Sequence, residues 1–147
     1  IEPNVCNTKR RIEVLEEFAK RGIPTIVWLS PLLPFINDTE ENITAILNEC
    51  VRVGVKGVID FGMGLPLREG DREYYYAALD RHFPGMKERY IKRYGNSYEL
   101  QSPNAKELMG IFQRICKDNG ILSTPDECFR FMQELPDKYR QLSIFDL

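Results

Sequence analysis

The chain of 147 residues carries a net charge of −2, and 43% of its residues are hydrophobic. This length and composition are typical of one globular domain with a sizeable core. The charge excludes a globally basic nucleic-acid binder but allows a local basic patch. No apolar run approaches the roughly 20 residues of a membrane helix, and no signal peptide is visible. The sequence therefore predicts a cytoplasmic protein that does not contact a membrane.

The cysteines do not form a familiar metal-binding motif. The nearest pair is twelve positions apart, and a single histidine, His82, accompanies the four cysteines, Cys6, Cys50, Cys116 and Cys128. Metal sites usually place their ligands at short, regular spacings. We therefore expect reduced thiols, and those on the apolar faces of helices should act as small hydrophobic side chains.

The first half of the chain alternates predicted helices and strands. A helix is predicted over Thr8–Arg21, followed by an apolar strand over Thr25–Ser30. A capping box of Asp38 and Glu41 begins the next helix, and a second strand is predicted over Val55–Phe61. Both strands are too apolar to alternate, which is typical of parallel strands covered on both faces. The short connections favour right-handed parallel crossovers.

The second half of the chain is predicted to be helical. Proline or polar residues open four helices, over Gly70–His82, Pro84–Tyr94, Pro103–Asp118 and Pro125–Leu135. Two strands alone leave too much apolar surface of a parallel sheet uncovered. We therefore expect further strands or absent chain to complete the sheet. Otherwise we expect self-association, strand exchange, or burial of the uncovered apolar face under the helical extension.

The order of elements around the first strand resembles that of one protein family. Glu2-Pro3 precedes the first helix, Pro31-Leu32-Leu33-Pro34 follows the strand, and Asn37-Asp38 follows the prolines. This order is similar to that of the radical S-adenosylmethionine superfamily, in the branch of spore photoproduct lyase and related DNA repair photolyases. The resemblance covers residues 1–100 best. As an alternative, Pro31 and Pro34 only terminate a strand.

The resemblance implies a fold and its boundaries. It implies an α/β fold in which residues 1–68 supply the last two strands of a partial parallel βα barrel. Residues 69–140 would form an α-helical extension, and residues 141–147 a flexible tail. In this family the cofactor lies across the carboxyl ends of the strands. The residues implied to wall its adenosine pocket are Ser30, Leu32, Gly62, Met63 and Gly64.

The resemblance also implies cofactors that this chain would not bind by itself. Members of the family cleave S-adenosylmethionine with a 4Fe-4S cluster that is bound by a Cys-x-x-x-Cys-x-x-Cys motif. They then abstract hydrogen from a substrate, and a damaged nucleobase is one candidate substrate here. That motif is absent, and the chain starts at Ile1. We therefore expect an inactive carboxyl-terminal fragment without a cluster, whose partner is the missing amino-terminal part of the barrel.

Basic and aromatic residues alternate in one predicted helix of the second half. Arg89, Lys92, Arg93 and Tyr94 lie close together, with Glu88 as the single nearby acid. Cations bind phosphates and aromatic rings stack on bases, so this pattern indicates a site for a single-stranded or distorted nucleic acid. A solvated helix face with its tyrosines packed inward explains the same pattern.

One acid interrupts the second apolar strand. Ionised groups are rare in covered strands, so Asp60 is a candidate functional acid. It could equally pair with Arg68 or with neighbouring backbone groups. The Gly62-x-Gly64 element that follows lacks the third glycine of a dinucleotide-binding fingerprint.

The last residues resemble a docking peptide. Gln141, Leu142, Ser143, Ile144 and Phe145 are similar to the pentapeptide by which many bacterial replication and repair proteins bind the DNA sliding clamp. The apolar side chains would enter a groove while the glutamine forms directional hydrogen bonds. As an alternative, the tail folds back onto its own core.

Two classes of function are therefore open. The first is the carboxyl-terminal part of a radical S-adenosylmethionine enzyme that acts in DNA repair. The second is a non-catalytic module that binds nucleic acid or the sliding clamp. A three-cysteine motif upstream of Ile1 would favour the enzyme, and its absence would favour the module.

Overall fold

A computed structural model describes residues 4–134, which form a mixed α/β fold of six helices and four short strands. The α/β class predicted from the sequence is confirmed at this level. None of the helices in this range is both long and apolar enough to cross a membrane. In chain order the elements are α1 (Thr8–Lys20), β1 (Ile26–Trp28), α2 (Glu40–Val53), β2 (Gly57–Ile59), β3 (Gly64–Pro66), α3 (Asp71–His82), α4 (Met86–Tyr94), β4 (Glu99–Gln101), α5 (Ala105–Asp118) and α6 (Pro125–Gln133).

The two predicted strands are confirmed as a parallel pair. Strands β1 and β2 pair with Val27 opposite Val58. The second edge of β2 is also occupied, because the Val58 N–H donates to the Leu122 carbonyl at 2.8 Å and the Leu122 N–H donates to the Lys56 carbonyl at 3.1 Å. The outer edge of β1 has no strand partner among residues 4–134. One open edge therefore remains in the described part of the sheet.

The expectation that the second half is wholly helical is wrong at β4. Strands β3 and β4 form an antiparallel ribbon with Leu65 opposite Leu100, hereafter the β3–β4 ribbon. Two further hydrogen bonds extend it, from Leu67 N–H to the Tyr98 carbonyl at 2.8 Å and from Ser102 N–H to the Met63 carbonyl at 2.9 Å. Each strand has only three residues, too few for an alternating pattern to stand out in the sequence.

The predicted cap of α2 is one residue away from the true one. Thr39 is the N-cap, and its side chain accepts from the Asn42 N–H at 3.2 Å. Asp38 is instead buried, and its carboxylate accepts from the Ser102 hydroxyl at 2.5 Å. The predicted end of α2 is confirmed, since Gly54 adopts the left-handed conformation that favours glycine. Asp38 thus ties the start of α2 to the end of the β3–β4 ribbon.

Two hydrophobic cores hold these elements together. The larger core packs α2 and α5 against the parallel strands, with Leu47, Val58 and Phe112 at or below 1% exposure. The larger core therefore contains side chains from both sides of the predicted boundary after residue 68. The smaller core packs α3 and α4 against the β3–β4 ribbon through Tyr90 and Leu100. The two cores place the carboxyl ends of β1 and β2 beside the ribbon.

We expect Gly64→Ala to destabilise the protein by about 1–3 kcal/mol, the usual cost of overpacking. A Cβ atom at residue 64 would lie 2.5 Å from the Leu100 carbonyl oxygen, a backbone atom of the paired strand. The matched control is Gly110→Ala in α5, where a Cβ meets nothing within 4 Å. That change should stabilise the helix by about 0.5–1 kcal/mol. Urea denaturation measures both, and equal effects would contradict the close approach.

Candidate functional site

A cavity of about 500 Å³ opens at the carboxyl ends of β1 and β2. In α/β folds with parallel strands, ligands usually bind at this edge of the sheet. Trp28 and Ser30 line the cavity from the end of β1, and Phe61 lines it from the end of β2. The β3–β4 ribbon supplies the remaining wall, through Glu99 and Gln101 among others. The cavity therefore joins the parallel pair to the ribbon that the sequence did not predict.

An exposed aromatic pair is the most unusual feature of this cavity. Trp28 and Phe61 remain 56% and 57% exposed, although both belong to apolar segments of the sequence. Their ring centroids are 4.9 Å apart at an interplanar angle of 38°. Large aromatic groups exposed in a concave site offer stacking surfaces for a planar ligand. The exposure of this pair was not predicted from the sequence, because both strands were expected to be covered on both faces.

Asp60 acts on the backbone of the loop that follows β2. Its carboxylate accepts hydrogen bonds from the Gly62 N–H at 2.7 Å and the Met63 N–H at 2.8 Å. Gly62 and Met63 both have positive φ angles, 113° and 50°, so the carboxylate stabilises an unusual turn. Of the alternatives for Asp60, the structure shows pairing with neighbouring backbone. The Arg68 guanidinium instead interacts with Tyr98, which raises the pKa of Arg68.

The predicted adenosine-wall residues divide into two groups. Ser30, Gly62 and Gly64 line the cavity. Leu32 and Met63 are 2% and 0% exposed, so their side chains belong to the core. The Leu32 N–H donates to the Gly64 carbonyl at 3.0 Å, which links the loop after β1 to the first residue of β3. All five predicted residues are therefore brought together, but only three of them face the cavity.

The predicted nucleic-acid residues lie on and beside one face of α4. Arg89, Lys92 and Arg93 are exposed and share a helix face at i, i+3, i+4 spacing. The Arg89 guanidinium lies 3.8 Å from the centroid of the Phe35 ring. Tyr94 is half-buried, and its hydroxyl donates to the backbone carbonyl of Gln101 at 2.6 Å. The cations thus face solvent while the tyrosine connects α4 to the cavity wall.

Buried tyrosines hold α4 in this position. The Tyr75 hydroxyl donates to the Tyr90 hydroxyl at 2.9 Å, and the Tyr90 hydroxyl donates to the carbonyl of Pro34. Burial raises the pKa of Tyr75 to about 12 and also raises the pKa of Tyr90. Both hydroxyls therefore stay neutral at physiological pH. These two rings serve the core, as the alternative interpretation of the basic segment expected.

The residues that the structure describes do not provide a site for the four-iron cluster of the radical S-adenosylmethionine superfamily. Within residues 4–134, no group of three or more His, Cys, Asp or Glu side chains is placed to hold a metal ion. All four cysteines are free, with Cys6 exposed and the other three buried. Burial raises the pKa values of Cys50 and Cys116 to about 11. Such protonated thiols are poor metal ligands and behave as small hydrophobic groups.

Two sequence motifs lie outside the described residues. Glu2-Pro3 precedes residue 4, and the segment from Gln141 to Phe145 follows residue 134. The Asn37-Asp38 pair is described, and both of its side chains have structural partners. The Asn37 side-chain oxygen accepts from the Leu33 N–H at 2.6 Å. This hydrogen bond closes the turn over residues 33–37, which contains Pro34.

Comparisons with known proteins find only distant similarity. No family model and no solved structure matches the chain. Uncharacterized proteins of Mycobacterium tuberculosis and Mycobacterium bovis are 26% identical to it over 109 residues, which are 74% of this chain and 31% of each relative. The chain thus spans about a third of the length of the curated relatives it matches.

Proposed function

We propose that this chain is the carboxyl-terminal part of a radical S-adenosylmethionine enzyme of the spore photoproduct lyase-like branch. Its cavity would hold the adenosine part of the cofactor. The exposed aromatic pair of Trp28 and Phe61, at the carboxyl ends of two adjacent parallel strands, is the observation that carries this proposal. An adenine ring is planar and apolar on its faces, so it stacks favourably on such rings.

The size and composition of the cavity suit a nucleoside. Its volume of about 500 Å³ falls within the roughly 300–1,000 Å³ typical of small-molecule sites. Gly62 and Gly64 line its wall without side chains. The iron–sulfur cluster would be held upstream, since residues 4–134 offer no site for it. That cluster would supply the one-electron chemistry of the enzyme.

The unpaired outer edge of β1 supports the proposal that another segment of the same barrel pairs with it. The outer edge of β1 is unpaired within the described residues. An apolar groove of about 610 Å³ runs beside it, lined by Ile12, Leu15 and Val27 among others. The curated relatives are about three times as long as the matched region. We propose that an amino-terminal segment continues the parallel barrel along this edge, in a cytoplasmic enzyme.

Trp28 fluorescence tests the adenosine site directly, because Trp28 is the single tryptophan of the chain. We expect S-adenosylmethionine and 5′-deoxyadenosine to quench it saturably. Phe61→Ala should weaken binding by about tenfold or more, since aromatic stacking on a base contributes about 1–3 kcal/mol. Phe129→Ala, at an exposed ring of α6 away from the cavity, should bind normally.

The absence of saturable quenching by any adenosine compound would overturn the proposed site. Anaerobic incubation with iron and sulfide, followed by visible absorbance, should leave this chain without a stoichiometric cluster. A four-iron cluster bound to these 147 residues would contradict an upstream location of the cluster ligands.

A second candidate function is a non-catalytic module that binds DNA through α4. The exposed cationic face of Arg89, Lys92 and Arg93 favours it. We expect the triple change of these residues to Gln to weaken binding of single-stranded DNA by about tenfold or more and to flatten its salt dependence. Fluorescence anisotropy across a salt series measures both effects. The matched control changes three exposed cations of α5 to Gln, Lys106, Arg114 and Lys117, and equal losses in both variants would exclude a specific surface.

The same module could be recruited by the sliding clamp through residues 141–147. We expect deletion of this segment to abolish clamp binding in surface plasmon resonance while changing the melting temperature little. Leu142→Ala with Phe145→Ala should have the same effect, because apolar anchors carry most of the binding energy in such interfaces. A clear fall in melting temperature, with no clamp binding by the intact chain, would assign these residues to the core.

A further inference from the structure

The β3–β4 ribbon turns one polar face towards the cavity. Along β4, Glu99 and Gln101 are exposed whereas Leu100 is fully buried, as expected for successive residues of a strand. Both polar residues line the same cavity as Trp28 and Phe61. The cavity thus combines stacking rings from the parallel strands with hydrogen-bonding groups from the ribbon. Pockets that recognise one ligand usually combine these two kinds of group.

Gln101 is held in place by the loop after β2. Its side-chain nitrogen donates to the Gly62 carbonyl at 3.1 Å, which fixes the orientation of the amide. The amide oxygen accepts no hydrogen bond from any described residue. A fixed amide with an open acceptor can hydrogen-bond an amino group on a ligand without much ordering cost. Gln101 is therefore preorganised as an acceptor at the cavity wall.

Glu99 supplies a second open acceptor. Its carboxylate forms no ion pair or hydrogen bond with a side chain or backbone group of residues 4–134. An ionised carboxylate accepts hydrogen bonds through both oxygens. The vicinal hydroxyl groups of a ribose present two donors at matching separation, and hydrogen bonds to a charged acceptor are stronger than neutral ones. A carboxylate beside stacking rings therefore fits a ribonucleoside.

We propose that Glu99 and Gln101 determine which nucleoside the cavity accepts. Glu99 hydrogen-bonds the ribose hydroxyls, and the side-chain oxygen of Gln101 accepts from the exocyclic amino group of adenine. This assignment rests on the proposed adenosine site and adds its specificity. The site then prefers a ribonucleoside over its 2′-deoxy analogue and a 6-amino purine over a 6-oxo purine. A ligand that lacks either donor leaves a protein acceptor unpaired.

Trp28 fluorescence titrations with three nucleosides separate the two roles. The probes are 5′-deoxyadenosine, 2′,5′-dideoxyadenosine and 5′-deoxyinosine. We expect the intact chain to bind the first about tenfold more tightly than either of the others, the scale of leaving one protein acceptor without its hydrogen-bond partner. Glu99→Gln should remove the preference for the ribose hydroxyl and keep the preference for adenine. Gln101→Met should do the reverse.

Two matched variants control for general effects of the substitutions. Glu107→Gln and Gln113→Met make the same chemical changes at exposed positions of α5, and both should retain the two preferences. Melting temperatures within a few degrees of the intact chain show that the variants are folded. If 5′-deoxyadenosine binds the intact chain but Glu99→Gln and Gln101→Met keep both preferences, the assignment of these residues is overturned while the adenosine site stands. If no nucleoside binds the intact chain, both are overturned.

Discussion

Backbone pairing between β3 and β4 is the interaction on which the rest of the candidate site depends. It requires the backbone at Gly64 to approach Leu100 so closely that a Cβ atom would lie 2.5 Å from the carbonyl oxygen. The pairing brings residues almost 40 positions apart to one wall of the cavity, where Gln101 bonds to Gly62. Ser102, directly after β4, then binds the buried carboxylate of Asp38. One short ribbon thereby fixes the loops that follow β1 and β2 at the carboxyl ends of the parallel strands.

The anchoring of α4 follows from the same arrangement. Tyr90 is fully buried, and its hydroxyl reaches the Pro34 carbonyl, while the Tyr94 hydroxyl reaches the Gln101 carbonyl. Hydrogen bonds from these two hydroxyls to backbone carbonyls leave little freedom to rotate the helix, and leaving the buried Tyr90 hydroxyl unsatisfied would cost free energy. The opposite face of α4 is therefore presented to solvent with its cations.

The two candidate functions use different surfaces, and the geometry allows both to coexist. The aromatic cavity suits a planar nucleoside, whereas the exposed face of α4 suits a chain of phosphates. Tyr94 connects the two surfaces through its hydrogen bond to β4. The unpaired edge of β1 adds a third surface, which an amino-terminal segment of a longer protein would cover.

The sequence by itself determined the elements with strong local signals. Helices α1 and α2 carry regular apolar faces and strong end signals, so their limits agree with the structure to within a residue or two. The apolar runs around Val27 and Val58 likewise predicted a parallel pair. Local patterns suffice for these elements because the periodicity of a helix or of a covered strand is contained in neighbouring residues.

Only the tertiary structure decided the site. Strands β3 and β4 have three residues each, and their pairing depends on contacts between distant segments that no local pattern encodes. The exposure of Trp28 and Phe61 depended on how the loops at the strand ends are folded. An apolar run has the same sequence pattern whether its last residue is buried or exposed. Asp60 looked like a functional acid because it interrupts an apolar strand, yet it binds the backbone of a turn with positive φ angles. A sequence reveals which side chains are present, whereas their partners are set by the packing of segments far apart in the chain.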